Sequence, residues 1–155
     1  MKLDIKHYIH ESNLIEGIDD RKEDAQSLIA WRFIDNLKLI SQPDLLKLHR
    51  LITKNQLPRN ESGRYRTINV AVGGRLCPSP FLAQQQAYNW IHDMVVYWNL
   101  DPIEMHVRFE KIHCFVDGNG RTGRMLLWHH ELKLGRKPTL FLNSEKHEKY
   151  YPLFN

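Results

Sequence analysis

Between His113 and Arg124 the chain reads His-Cys-Phe-Val-Asp-Gly-Asn-Gly-Arg-Thr-Gly-Arg. The backbone of Gly118-Asn119-Gly120 can fold closely and turn successive N–H groups toward one point, which makes an anion-binding concavity. A helix starting there adds orphan amides and the positive end of its dipole, both favourable to phosphate. Arg121 and Arg124 are three apart and share a face of its first turns. Two guanidinium forks beside an amide nest describe a polyphosphate site. Asp117 would repel that phosphate unless a cation lay between them. Mg²⁺, or Mn²⁺ in its place, is ordinarily held in this way, by one or two carboxylates plus phosphate oxygens. His113, with an ordinary pKa near 6.5, suits accepting a hydroxyl proton at neutral pH. Base, metal carboxylate, nest and arginines together suit in-line transfer at phosphorus, where positioning and charge neutralisation do most of the catalysis. A plain helix–loop–helix would explain the glycines and leave the acid, the base and the paired arginines without a reason. No GxxxxGK[ST] motif occurs, so a Walker-type loop is excluded.

These residues need rigid elements around them, and the pattern supplies mostly helices. A short helix is predicted over residues 4–16 with Gly17 as its stop. A longer one follows over 20–40, with Leu28, Trp31, Ile34, Leu37 and Leu39 as most of its apolar face. Ser41 caps a third, carrying Leu45, Leu48, Leu51 and Ile52 at helical spacing. Ser79-Pro80 and Asp101-Pro102 are cap-plus-proline starts for helices over 80–98 and 102–113. Another covers 119–134 and stops at Gly135, and Asn143 or Ser144 caps a last short one. Residues 63–76 are the exception. Tyr65, Thr67, Ile68, Val70 and Val72 favour strand, and Gly73-Gly74 signals a turn. A lone hairpin has few neighbours, so it is either an ordinary surface hairpin or an edge open to strand addition. The expectation is one all-α domain over residues 1–155, a helical bundle with a single β-hairpin.

Composition narrows the partners. The 155 residues carry 22 Lys and Arg against 18 Asp and Glu, a net +4 scattered along the chain rather than gathered in one run. Scatter of this kind argues for a solvated mixed surface and against a nucleic-acid face. No apolar run approaches the roughly eighteen residues of a membrane span, and the N-terminal MKLDIKHYIHE has acids where a signal peptide is apolar. Cys77 and Cys114 are too few for a disulfide framework, so a reducing cytoplasm is the expected home. His7, His10, His129 and His130 read as surface or satisfied helix histidines, and Trp31, Trp90, Trp98 and Trp128 read as core. Cys114 beside His113 does not suggest thiol catalysis, because sequence neighbours rarely form a nucleophile–base pair.

The segment 113–124 resembles the signature of Fic-domain proteins, HxFx[DE]GNGRxxR, with all eight specified positions matched. Cys114 departs from the family's usual proline, which leaves every chemical role in place. The resemblance implies His113 as base for a target hydroxyl and Asp117 as metal ligand. It places the α- and β-phosphates on Gly118, Asn119 and Gly120 with help from Arg121, and the γ-phosphate on Arg124. It implies an adenylyltransferase (AMPylase) that moves AMP from ATP to Tyr, Thr or Ser of a target protein. The alternatives are removal of AMP, phosphotransfer on the same scaffold, or a non-catalytic nucleotide or nucleic-acid binding module. Gly63-Arg64-Tyr65-Arg66 and the stretch after it resemble the family's flap, so Tyr65, Thr67, Ile68 and Val70 are expected to hold the target. Ser12 to Gly17 matches the inhibitory pattern [ST]xxxE[GN]. Ser12 and Glu16 share a helix face, and the resemblance implies that Glu16 pairs with Arg124 in place of the γ-phosphate.

Overall fold

In the computed structural model of the chain, which describes residues 2–155, most helices begin on a side chain made for the purpose. Asp4, Asp20, Ser41, Ser79 and Asp101 each accept a hydrogen bond from the first turn of the helix that follows. These helices are α1 (Ile5–Ile15), α2 (Arg21–Asp35), α3 (Gln42–Thr53), α4 (Pro80–Val96) and α5 (Pro102–Ile112). Ser41 and Asp44 form a reciprocal capping box on α3, which ties down two orphan amides at once. The sixth helix, α6 (Asn119–Lys133), differs: it starts at Gly118 with φ 81° and no side-chain cap.

Helix α6 is the centre of the bundle and packs against α1, α2, α3 and α5. Residues 121–131 are buried without a break, polar and apolar alike, which is the pattern of a helix enclosed on all sides. Gly123 lets α5 come close, since a Cβ there would stand 3.0 Å from the Phe109 ring. Leu45, Leu48 and Ile52 line the inner face of α3, and Trp31, Trp90 and Trp128 fill the core. Burying each such side chain contributes roughly 1.5–3 kcal/mol. The buried indoles of Trp90 and Trp128 donate to the carbonyls of Met105 and Thr139. After α6 the chain closes with short 3₁₀ and π turns over residues 143–154, where a regular short helix is expected from the sequence.

Three further expectations need correction. Helix α2 stops at Asp35, not near residue 40, because Asn36 turns back onto the Arg32 carbonyl and His129 takes the Leu37 carbonyl. Leu39 is consequently 58% exposed rather than part of the apolar face. Trp98 lies beyond the end of α4 and is 62% exposed, not core. The hairpin is much shorter than residues 63–76. Strands β1 (Ala71–Val72) and β2 (Arg75–Leu76) pair antiparallel around Gly73-Gly74, both at positive φ as a two-residue turn requires. One further bond, from the Cys77 N–H to the Val70 carbonyl, extends the ladder.

The histidines expected to be satisfied are so: His129 and His130 each meet a main-chain carbonyl, of Leu37 and Trp98. His10 meets the Asp24 carboxylate at 2.8 Å. Among the described residues no helix is long and apolar enough to cross a membrane.

Candidate functional site

Helix α5 ends at His113, whose backbone sits in the left-handed region at φ 50°, ψ 54°. Among the described residues it is the only non-glycine at positive φ. That turn throws the chain off α5 into the loop 114–118. Burial holds the His113 imidazole below its ordinary pKa, and the nearby Arg66 guanidinium adds in the same direction. The ring is therefore neutral at pH 7, the form that can accept a proton.

The loop is braced from three sides. Asn119 turns its side chain back onto Phe115, accepting from its N–H at 3.0 Å and donating to its carbonyl at 2.9 Å. The side chain is thereby turned inward to brace the loop. Phe115 is fully buried and stacks on His49 with ring centroids 3.7 Å apart and planes 8° apart. Arg66 donates to the carbonyls of His113, Ile68 and Pro78 through its side chain, and to that of Cys114 through its main chain. This arginine helps explain the short hairpin: it pins its own backbone to the Cys114 carbonyl and takes the Ile68 carbonyl, out of reach of a ladder. The Tyr65 ring lies parallel to Phe115 at 5.6 Å and its hydroxyl meets Gln42, so it faces the loop rather than a target. Thr67 and Ile68 are exposed ahead of the ladder, and the Val70 carbonyl points at β2. Ala71, next along, therefore turns its N–H and C=O to the open edge. Cys114 is buried, and desolvation pushes its thiol far above the usual range, which leaves no thiolate for chemistry.

A cavity of about 530 Å³ opens over this loop, lined by Glu16, Glu110, His113, Asp117, Asn119 and Gly120, with Tyr150, Tyr151 and Phe154 along the C-terminal segment. Its size and its mixed polar and aromatic walls suit a nucleotide-sized ligand. Arg121 is 2% exposed, and its Nε and Nη1 have no hydrogen-bond partner among the described residues. Leaving such donors unsatisfied is costly, and the Asp117 and Glu16 carboxylates only partly offset the burial that lowers the pKa of this guanidinium. Asp117 accepts from the Gly118 N–H at 2.7 Å through one oxygen. Among the described residues no three His, Cys, Asp or Glu side chains converge on a metal position. A lone carboxylate fits Mg²⁺ or Mn²⁺ nonetheless, because such an ion takes its remaining ligands from phosphate and water.

Arg124 is equally buried and fully engaged. It donates from Nε to Ser12 Oγ at 2.7 Å, from Nη2 to the Ser12 carbonyl at 2.9 Å and to Glu16 Oε1 at 2.6 Å, and from Nη1 to the Tyr150 hydroxyl at 2.9 Å. The Glu16 carboxylate lies against the first turn of α6: a Cβ on Gly120 would come 2.3 Å from Glu16 Oε1. Helix α1 is seated firmly in this pose. Its Tyr8 bonds to the Pro138 carbonyl, Asn13 bonds to Asp24, and Glu11 accepts from the Asn143 N–H. Gly17 ends the helix at φ 74°, as its position predicts.

Residues 39–130 match the family described as Fic/DOC. The chain belongs to the Fic/DOC family. It is 30% identical over 154 residues to the protein adenylyltransferase Fic of Nematostella vectensis, covering 95% of this chain and 34% of that protein. With the protein adenylyltransferase fic-1 of Caenorhabditis elegans it shares 36% over 157 residues, covering 92% of this chain and 28% of that one. The chain thus spans about a third of the length of the curated relatives it matches. Among solved structures, residues 134–508 of C. elegans Fic-1 superpose with a TM-score of 0.81 at 24% identity, covering 99% of this chain and 55% of that one. A Fic domain containing signaling protein from Bacteroides thetaiotaomicron gives 0.78 at 18%, covering 96% and 70%. At those identities the structural likeness shows the fold, a Fic helical bundle with one short hairpin.

Of the expected site residues, the fold brings His113, Asp117, Asn119, Gly120 and Glu16 to one cavity and joins Ser12 and Glu16 to Arg124. Thr67, Ile68 and Val70 stay outside the residues that line it. Four residues of the Fic/DOC site carry no sequence signal of their own. His49 and Arg66 brace the loop, Tyr150 meets Arg124, and Glu110 faces the cavity with burial raising its carboxyl to about 8. His49, Arg66 and Tyr150 act across long stretches of chain, beyond the reach of helical or strand periodicity. Glu110, three positions before His113, looks like any acid on a helix.

Proposed function

We propose that this chain transfers AMP from ATP to a hydroxyl of Tyr, Thr or Ser on a target protein, with Glu16 restraining the reaction. The observation that carries the reading is the unpartnered, buried Arg121 beside an uncapped helix start and a neutral His113. The α- and β-phosphates lie against the Gly118–Gly120 turn, on the Asn119 and Gly120 amides, with Arg121 alongside, since the Gly118 N–H already donates to Asp117. The target oxygen attacks the α-phosphorus, the bond to pyrophosphate breaks, and the hydroxyl proton passes to His113 Nε2 or Nδ1, whichever faces the cleft. Asp117 is the residue that would hold Mg²⁺ or Mn²⁺, which when bound neutralises phosphate charge. The target docks by strand addition on the outer edge of β1, near Ala71, with exposed Ile68 beside it.

Glu16 supports the restraint because its carboxylate lines the cavity and accepts from Nη2 of the buried Arg124 at 2.6 Å. A γ-phosphate cannot take that nitrogen while the carboxylate is there. The same carboxylate, set over Gly120, could direct a water for removal of AMP, so target labelled in advance is a useful second substrate.

Incubating parent and Glu16→Gly with Mg²⁺ and ATP labelled at the α or the γ position tests the reading. Protein labelled from the α position only is the expected result. Label from the γ position would make the chain a phosphotransferase, and no label from either, with ATP bound, would make it a binding module.

A further inference from the structure

His49 lies on α3, fully buried, and neither ring nitrogen is idle. Nδ1 accepts the Gly63 N–H at 2.9 Å, and Nε2 lies 2.8 Å from the Asp117 carbonyl oxygen. An amide N–H only donates, so Nδ1 bears no proton, and a carbonyl only accepts, so Nε2 bears one. The ring is thereby fixed as the neutral Nε2–H tautomer. Its plane is clamped by the stack on Phe115.

The peptide joining Asp117 to Gly118 connects this ring to the chemistry. Its C=O is gripped by His49, and its N–H, on the opposite side of a rigid trans unit, donates to the Asp117 carboxylate at 2.7 Å. The orientation of one end sets the other. Gly118 permits the arrangement, for a Cβ there would stand 2.6 Å from Thr53 Cγ2 and 3.2 Å from His49 Nε2. Gly63, on the far side of the ring, is the root of the segment that runs to the hairpin.

We infer that His49 is a positioning residue that aims the Asp117 carboxylate through the Asp117–Gly118 peptide and fastens it to the root of the hairpin. This rests on Asp117 being the metal ligand of the proposed site. A core histidine that merely filled space would tolerate any well-packed replacement equally. An aiming role requires a donor at the Nε2 position.

Two substitutions separate these. His49→Gln places a donor near Nε2 and keeps the grip on Asp117, whereas His49→Asn places an acceptor near Nδ1 and keeps only Gly63. The readout is Mn²⁺ binding to protein carrying a non-hydrolysable ATP analogue, followed by electron paramagnetic resonance. His49→Asn is expected to weaken Mn²⁺ binding about 10- to 100-fold, the usual cost of losing an outer partner of a metal ligand, and His49→Gln to recover most of it. In parallel, ¹⁵N-histidine NMR of the unsubstituted protein should show His49 as the Nε2–H tautomer with a slowly exchanging proton. That spectrum decides the matter even if a variant fails to fold. Equal Mn²⁺ affinity in folded His49→Asn and the parent, a parent that binds no Mn²⁺ with the nucleotide, or an Nδ1–H tautomer overturns the inference. A parent that holds Mn²⁺ and nucleotide in the expected His49-dependent way but transfers no AMP leaves it standing and removes the transferase reading instead.

Discussion

Arg121 and Arg124 stand about one helical turn apart on α6, 2% and 1% exposed, and differ only in what meets them. Two nitrogens of Arg121 face no partner, while every nitrogen of Arg124 donates to Ser12, Glu16 or Tyr150. Among the described residues, one guanidinium keeps unsatisfied donors and the other is saturated by the protein itself. A guanidinium cannot shed its charge at any accessible pH, so burying one demands an anion or a set of acceptors. The chain meets that demand internally at Arg124 and leaves it unmet at Arg121. On the proposed function, that difference would separate binding from reaction, with phosphate engaging Arg121 before Glu16 releases Arg124.

Breaking the contrast altogether needs a change that makes both arginines irrelevant. His113→Ala does this, because the base acts after either arginine has engaged phosphate. AMP transfer is expected to fall about 100- to 10,000-fold, in the Glu16→Gly background as much as in the parent, with unfolding temperature unchanged or raised. A folded variant that keeps most of its turnover would put the proton acceptor elsewhere.

The contrast sharpens when Arg124 is released. A charge-assisted bond from a carboxylate that is partly open to solvent contributes at the low end, about 1.5 kcal/mol, so Glu16→Gly is expected to raise automodification about tenfold. Adding Arg124→Ala should cancel the gain. Adding Arg121→Ala should lower activity yet preserve the ratio between Glu16→Gly and its own parent. If Arg121→Ala removes the ratio as well, the two arginines act as one unit and the division drawn between them is wrong.

A smaller effect lies at the hairpin, whose Val72, Gly73 and Arg75 line the cavity without a hydrogen bond to Arg121 or Arg124. Ala71→Pro removes the N–H on the open edge without touching the Cys77–Val70 bond. Modification of a target is expected to drop about two- to tenfold, the cost of one hydrogen bond, at constant ATP affinity. Calorimetric titration with ATP beside the target assay decides it, and a matching loss of ATP affinity would mean that the hairpin only supports the site.

The smallest effect concerns Glu110, which shares the cavity with Glu16. Burial raises its carboxyl to about 8, Arg124 pulls it back and Glu16 pushes it up. Between its ordinary value near 4.5 and about 8 the folded state holds a proton that the unfolded state has lost, so stability falls as pH rises through that window. Solvent in the cavity tempers the effect to about 1 kcal/mol overall, below the limit of about 1.4 kcal/mol per pH unit for one proton. Chemical denaturation at pH 5 and pH 9 should show the fall, and Glu110→Gln should flatten it. An equal fall in both proteins assigns the dependence to another group.

How much of this could be read from the chain depends on distance along it. His113 to Arg124 is one continuous segment, so its glycines, histidine, acid and arginines are legible together as a candidate phosphate site, and the capped starts of α3, α4 and α5 are legible from Ser, Asp and Pro. Ser12 and Glu16 were legible only through family likeness, since nothing local joins them to a residue more than a hundred positions away. His49 and Asp117 are 68 positions apart and Arg66 and His113 are 47 apart. Neither pair leaves a periodic trace, because a single histidine on an inner helix face looks like any buried polar residue. Trp98 and Leu39 misled for a related reason: apolar periodicity says which face is buried and not where the helix ends. Strand propensity makes the hairpin longer than it is because it takes no account of Arg66, which bonds to the carbonyls of His113 and Cys114 and engages that of Ile68.

The left-handed backbone of His113 has a consequence for how this sequence can be improved. Only glycine adopts φ near +50° without penalty, and another residue there costs roughly 1–2 kcal/mol. Stability alone would place glycine at position 113, as at the ends of so many helices. The chain instead carries there the side chain proposed as the base. A search for thermally hardened variants that scores folding only will be drawn to His113→Gly. It would return a protein that melts later, still binds its nucleotide, and has lost the group that accepts the proton.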